Sequence, residues 1–283
     1  MKNTYRVRAM NRKDLDTAIK WAAKEGWNPG PYDAQSFYET DPNGYFMGFL
    51  GNEPVSCISA VSYNGKFGFL GFYITKPEHR GKGYGIQVWN KAVEYLENKN
   101  IGLDGVVAQQ ENYKKSGFKL AYNNIRYEGK GTSNIKHDSK NILEISTIPF
   151  EQLLKYDTQF FPAQRSQFLR LWVKQPKSLT IGFVEKNELR GYGMIRKCKR
   201  GYKIGPLFAN NEKIAERLLN KLRAFISKSS PFYLDIPEVN ENAVNLAQKY
   251  HLLPIFKTAR MYTREPPTLD LKKIFGVTTF ELG

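Results

Sequence analysis

The residues whose types and spacing point most directly to chemistry are Arg80-Gly81-Lys82-Gly83-Tyr84-Gly85. An apolar, strand-like run from Phe67 to Ile74 precedes them, and a helix-like run from Gly83 to about Asn98 follows. A strand that turns through glycines into a helix start is a device for holding phosphate. The first amides of a helix have no intrahelical acceptor, so they can donate to an anion. Glycines let the backbone approach that anion with no Cβ in the way, and Arg80 and Lys82 add positive charge. Spacing excludes two uses of such a loop. Dinucleotide-binding Gly-x-Gly-x-x-Gly fails because Ile86 stands three residues after Gly83, and no Gly-x-x-x-x-Gly-Lys-Ser/Thr occurs anywhere in the chain. The pattern that is met is Arg/Gln-x-x-Gly-x-Gly/Ala, with Arg80, Gly83 and Gly85 in register.

Hydrophobic periodicity supplies the elements around this loop. Thr4 to Ala9 reads as a strand. Asn11 is placed to cap a helix running to about Glu25, with Leu15, Ala18, Ile19 and Ala22 on one face and Gly26 as its stop. A loop holding Trp27 and Asn28 follows, and Asp33 is placed to cap a short helix through Tyr38. Tyr45 to Leu50 reads as a strand, and Val55 to Tyr63 and Phe67 to Ile74 form a hairpin around Asn64-Gly65. The helix after the glycine loop is expected to bury Ile86, Trp89, Val93 and Leu96. Leu103 to Ala108, a brief helical turn with Asn112 and Tyr113, and Phe118 to Tyr127 complete the first half.

The glycine loop in its setting, Tyr73-Ile74-Thr75-Lys76-Pro77-Glu78-His79 followed by Arg80 to Gly85, resembles the acetyl-CoA pyrophosphate loop of the GNAT-type N-acetyltransferases. The order of elements is similar to that of the GNAT fold, an α/β arrangement on a mixed sheet. Trp27-Asn28-Pro29-Gly30, Asn112-Tyr113-Lys114-Lys115-Ser116-Gly117-Phe118, Ala259-Arg260-Met261-Tyr262 and the tail from Phe275 extend the resemblance, over nearly the whole chain, to the two-domain YitH/HolE-like subgroup. That resemblance implies acetyl-CoA as co-substrate, an amine as acceptor, and no metal. It implies that backbone groups of Tyr73, Ile74 and Thr75 pair with the pantetheine, and that Gly81, Lys82, Gly83, Tyr84, Gly85 and Ile86 wrap the pyrophosphate. Tyr113 matches the family's Tyr-x-x-x-Gly-Phe tyrosine, whose hydroxyl acts as general acid toward the departing thiolate; a phenol with a pKa near 10 is protonated at neutral pH. The chain departs from the family seven residues earlier, where Val106 replaces a common asparagine, and Asn112 is at best its substitute.

An ammonium acceptor must lose a proton before it attacks, and Asp33, Asp104 and Glu281 are the candidates to take it. Asp104 stands out as a carboxylate inside an apolar strand, where burial is costly unless the charge is paired. It either contacts the acceptor amine or points to solvent at a strand end. Trp27 and Asn28 are candidates for the acceptor wall, and Arg260 for an acceptor carboxylate.

Gly129 to Asn141 is polar and glycine-containing and reads as a linker, giving expected domains of 1–130 and 142–283 joined by 131–141. The element order then recurs weakly, so the second half is expected to be a degenerate GNAT-like copy that shapes the acceptor side. Its strand Gly201 to Phe208 leads into a helix through Ala209-Asn210-Asn211-Glu212, without Arg-x-x-Gly-x-Gly, and should not hold a pyrophosphate the same way. The 283 residues are 41% hydrophobic and 14% aromatic, enough for packed cores, and hold no apolar run long enough to span a bilayer. The N-terminus does not read as a signal peptide, and the two distant cysteines, Cys57 and Cys198, suit free thiols in a reducing cytoplasm. A net charge of +16 suits a polyanionic ligand, but its spread along the chain weighs against a nucleic-acid-binding tract.

Overall fold

The computed structural model describes residues 4–63, 65–132 and 140–283. The first half runs β1 (Tyr5–Ala9), α1 (Arg12–Lys24), α2 (Asp33–Thr40), β2 (Tyr45–Leu50), β3 (Glu53–Tyr63), β4 (Phe67–Thr75), α3 (Tyr84–Tyr95), β5 (Asn100–Val106), α4 (Gln110–Lys115) and β6 (Lys119–Lys130). The second runs β7 (Ile142–Glu144), α5 (Phe150–Asp157), α6 (Ser166–Trp172), β8 (Ser178–Glu185), β9 (Glu188–Lys197), β10 (Tyr202–Ala209), α7 (Glu212–Arg223), β11 (Pro231–Pro237), α8 (Glu241–Lys249), β12 (Leu253–Tyr262) and β13 (Ile274–Gly276). Of the expected linker, 133–139 lie outside the described residues, as does Asn64 of the expected hairpin turn.

One mixed sheet passes through both halves in the order β1-β2-β3-β4-β5-β12-β6-β11-β10-β9-β8-β7, with β13 attached to β10. Each half contributes one parallel pair, β4 with β5 and β10 with β11. The halves interlock: β12 lies between β5 and β6, and β6 pairs on its other side with β11. Sequence order alone did not suggest this exchange.

The elements form for local reasons. Asn11 and Asp14 make a reciprocal capping box at the start of α1, a feature that contributes about 1 kcal/mol. Leu15, Ala18, Trp21 and Ala22 then face the core. Two expectations need correction. On α3 the buried residues are Val88, Trp89 and Ala92, while Ile86 is 51% exposed, because the first turn overhangs the cleft instead of the sheet. Asp33 opens α2 without capping it; its carboxylate accepts from the Gly30 amide at 2.7 Å and turns inward.

Candidate active site

Parallel pairing of β4 with β5 covers Phe67–Leu70 against Asn100–Leu103 and stops there. On its opposite edge β5 pairs with β12 over Gly102–Val106. On the other side, the β3–β4 register shifts between Cys57 and Ser59, and Phe72 takes a φ of 47°. A non-glycine residue at positive φ is costly and persists only where its surroundings fix it. Here the Cys57 thiol donates to the Phe72 carbonyl at 3.2 Å and the ring is buried. The two strands therefore part at Gly71 and Asp104, and a cavity of about 540 Å³ opens between them.

The glycine loop forms one wall. Gly81 and Gly83 adopt φ values of 75° and 79°, a region glycine enters without strain. Gly83 is the residue before α3 and no side chain caps that helix, so its first amides are left to a ligand. Arg80 is held by the Thr75 carbonyl at 3.0 Å and the Glu25 carboxylate at 2.5 Å. Gly85 must be small, since a Cβ there would stand 2.9 Å from both the Thr75 and Tyr73 hydroxyls. The donor sites named from sequence converge: Tyr73, Ile74, Thr75, Arg80, Gly81, Gly83, Tyr84, Gly85 and Ile86 all line the cavity.

Tyr113 faces the same cavity from α4. Its ring stacks on Trp89 at 5.7 Å between centroids, and a Cβ at Gly105 would strike it. Burial, then the nearby Tyr73, pushes its phenol up to about 12, so it holds its proton at neutral pH. Its hydroxyl has no hydrogen-bond partner among the described residues.

The other end of the cavity is built by both halves, with Trp27 and Arg126 from the first and Phe256, Thr258, Phe280 and Glu281 from the second. Several sequence candidates do not reach it. Asn28 bridges to the Arg200 backbone, donating at 2.9 Å and accepting at 2.8 Å. Lys82 donates to the Glu78 carbonyl at 2.8 Å, and Asn112 bonds to Gln109 on the surface. Asp33 sits in a buried pair with Arg196, at 2.9 and 3.0 Å. Arg260 is fully engaged with Asp104, at 2.9 and 2.6 Å. Asp104 itself is on the cavity wall, but a third donor, Asn124, also reaches it at 2.8 Å. Burial raises the Asp104 carboxyl, yet the two-pronged bond to Arg260 takes a carboxylate, and the same bond keeps Arg260 charged against its own burial.

A third such pair, Arg126 with Asp235 at 2.7 Å for both bonds, completes a pattern. Each of the three joins one half to the other. For cations, Glu53, Glu78 and His79 are the one group close enough to share an ion among the described residues, and Lys76 already sits 2.7 Å from Glu53.

The model of the acetyltransferase (GNAT) family matches residues 12–118, and that of an acetyltransferase (GNAT) domain matches residues 153–276. The chain belongs to the GNAT family. It carries one GNAT domain in each half. It is 28% identical to a holothin acyltransferase of Pseudoalteromonas over 99% of this chain and 95% of that protein. It is 23% identical to the uncharacterized N-acetyltransferase YitH of Bacillus subtilis, over 81% and 80%. Among solved structures, a putative acetyltransferase from Pyrococcus horikoshii superposes with a TM-score of 0.83, at 25% identity, over 99% of this chain and 96% of that one. A tandem GNAT protein from clavulanic acid biosynthesis shares the fold at 11% identity and a TM-score of 0.64, over 93% and 100%.

The second GNAT domain repeats the splay but fills it. Parallel pairing of β10 with β11 covers Tyr202–Ile204 against Phe232–Leu234, and β13 then pairs with Leu207 and Phe208. The Val277 amide donates to the Asp235 carbonyl at 2.8 Å, continuing the plug. The start of α7 is also occupied, since the Asn211 side chain accepts from the Ile214 amide at 3.0 Å. A phosphate would have to displace both.

Sequence reasoning missed Arg126, Phe256, Thr258 and Phe280. The signal for Arg126 was present: it is a charge inside the run Phe118 to Tyr127, as Asp235 is inside Phe232 to Ile236. The test applied to Asp104, that a buried charge needs a partner, would have matched these two as well. Nothing local marks Phe256, Thr258 or Phe280, because they reach the cavity through the strand exchange and the returning tail.

Proposed function

We propose that this GNAT protein is an N-acetyltransferase that moves an acetyl group from acetyl-CoA to the amine of a small molecule. One observation carries the reading: the left-handed glycines Gly81 and Gly83 leave the first amides of α3 uncapped on the wall of a cavity that also holds the Tyr113 phenol. Gly81 to Ile86 bind the pyrophosphate, with Arg80 adding charge. The Tyr73–Thr75 edge, freed by the splay, pairs with the pantetheine and brings the thioester toward Tyr113. The amine attacks the thioester carbon directly, with no acyl-enzyme. An amide aimed at the developing oxyanion contributes about 3 kcal/mol in such a site, and Tyr113 protonates the leaving sulfur.

In this reading residues 1–130 form the donor domain and 142–283 supply most of the acceptor wall. Trp27, Phe256 and Phe280 surround the acceptor end, which suits a small molecule better than a protein segment; the relative named for holothin is in keeping with that. Free, buried Cys57 and Cys198 fit a reducing cytoplasm. The test is calorimetry with CoA, followed by thiol release from acetyl-CoA with a panel of primary amines. Binding without release for any amine would leave a CoA-binding protein and reject the enzyme.

A further inference from the structure

We propose that Glu281, carried by the tail of the second half into the cleft of the first, is the general base that deprotonates the acceptor ammonium. This rests on the acyltransferase reading above. Of the carboxylates considered, both oxygens of Asp33 are held by Arg196, and both oxygens of Asp104 by Arg260 and Asn124. Asp33 also accepts from Gly30 and Gln175, so it has no free lone pair, and it does not line the cavity; Asp104 keeps one open position on Oδ2, but its charge is committed to the buried Arg260 guanidinium. Glu281 does line the cavity, and it is 97% buried, with 3% of its surface exposed. Its Oε2 accepts a short hydrogen bond from the Thr279 hydroxyl, whose oxygen in turn accepts from the Glu281 amide at 3.0 Å. Its Oε1 accepts nothing from the described residues. One oxygen is thus steered by the protein and the other is left for a ligand.

The tail is fixed at the place where the thioester carbonyl has to lie. The Glu281 carbonyl lies so close to Gly71, beside the Phe72 kink, that a Cβ on Gly71 would collide with it. The Tyr63 hydroxyl donates to the Leu282 carbonyl at 2.8 Å, Arg165 to Gly283 at 3.3 Å, and the Gly283 amide to Thr279 at 3.1 Å. Positive charge surrounds the carboxylate: Arg126 from β6, Arg196 from β9 and Lys203 from β10 all feel it, with Asp235 and Asp33 balancing the two arginines. Lys203 is buried and its ammonium donates to none of the described residues; burial and then Arg126 pull it down, and Glu281 pushes it up. From the cavity wall the Thr258 hydroxyl, buried and without a partner among the described residues, is the second polar group facing an acceptor.

The proton account closes. The ammonium N–H bond breaks and its proton goes to Glu281 Oε1. The freed lone pair attacks the thioester carbon, and the carbonyl π pair moves to oxygen. Collapse breaks the C–S bond, sulfur takes the Tyr113 proton, and the second nitrogen proton returns through water to the tyrosinate. Glu281 releases its proton to solvent, so one ammonium and one acetyl-CoA yield one amide, one thiol and one proton.

The test is Glu281→Gln, assayed by thiol release from acetyl-CoA with benzylamine and tyramine, both ammonium ions at pH 7, using the better acceptor of the wild type. We expect acetyl-CoA affinity within about twofold and kcat/KM down about 100-fold at pH 7. The deficit should shrink about tenfold per pH unit as the neutral amine accumulates in solution. A deficit of the same size at pH 7 and pH 9, or none, would overturn the assignment, since a packing defect is blind to amine ionisation. Thr279→Val, which removes the steering hydroxyl, should show a smaller deficit of the same pH dependence, and decides the matter if the glutamine variant does not fold. A wild type that binds acetyl-CoA but acetylates nothing rejects the enzyme reading itself, and Glu281 with it.

Discussion

Replacing Tyr113 with phenylalanine isolates one oxygen atom. The ring keeps its stacking on Trp89 at 5.7 Å and its contact with Gly105. The hydroxyl has no protein partner among the described residues to lose, so the fold should change by less than about 0.5 kcal/mol. Burial holds the phenol at about 12, so the protonated form outnumbers the ionised form by about 10⁵ at pH 7. The variant therefore removes a fully protonated proton donor. Positioned acids contribute about 10²- to 10⁴-fold, equivalent to about 2.7 to 5.4 kcal/mol of barrier. The assay is steady-state thiol release at saturating acetyl-CoA, with calorimetry for donor affinity. We expect kcat to fall at least about 100-fold with acetyl-CoA affinity nearly unchanged. The sign of the pH dependence follows: the acid form is lost only as pH rises through about 12, so any alkaline decline seen near pH 9 belongs to another group. Equal losses in binding and turnover, or a change below threefold, would refute the acid role.

Other perturbations test other parts. Gly83→Glu places a Cβ at a φ of 79° and a negative charge beside the bound pyrophosphate. It should cost about 1 kcal/mol of stability and abolish calorimetric CoA binding; unchanged affinity would reject the loop assignment. Asp104→Asn leaves the Arg260 guanidinium buried without its counter-ion, so chemical denaturation should show a loss of about 3 to 5 kcal/mol. The double variant Asp104→Leu, Arg260→Met should recover much of it, and if the single variant is fully stable the pair does not fasten the halves. Because β13 and the Asn211 cap fill the second splay, calorimetry should give one CoA per chain; a stoichiometry of two would show that the plug gives way.

Much of the proposed donor side was legible in the sequence because it depends on local chemistry. A strand, a glycine turn and an uncapped helix follow one another in the chain, so Arg80 to Ile86 could be read in order, and all of them but Lys82 line one cavity. Tyr113 was legible for the same reason, six residues in a recognisable segment. The proposed acceptor side was legible only in part, through Trp27 and Glu281, because most of it depends on sequence separation. Phe256 and Thr258 reach the cavity only because β12 enters the sheet of the other half, and Glu281 only because the tail returns past Gly71. Asp104 was rightly singled out as a charge needing a partner, and Arg260 was on the list for another reason; their pairing required knowing that their strands are neighbours. Ile86 shows the limit of periodicity: the helical stripe marks an apolar face but not which of its turns hangs over a cleft.

The most direct test of the central claim is a crystal structure with bound CoA. The account predicts the diphosphate on the backbone amides between Gly81 and Ile86, the pantetheine along Tyr73 to Thr75, and the sulfur within hydrogen-bond reach of the Tyr113 hydroxyl. CoA seated in the second splay in place of β13, or a sulfur remote from Tyr113, would contradict it.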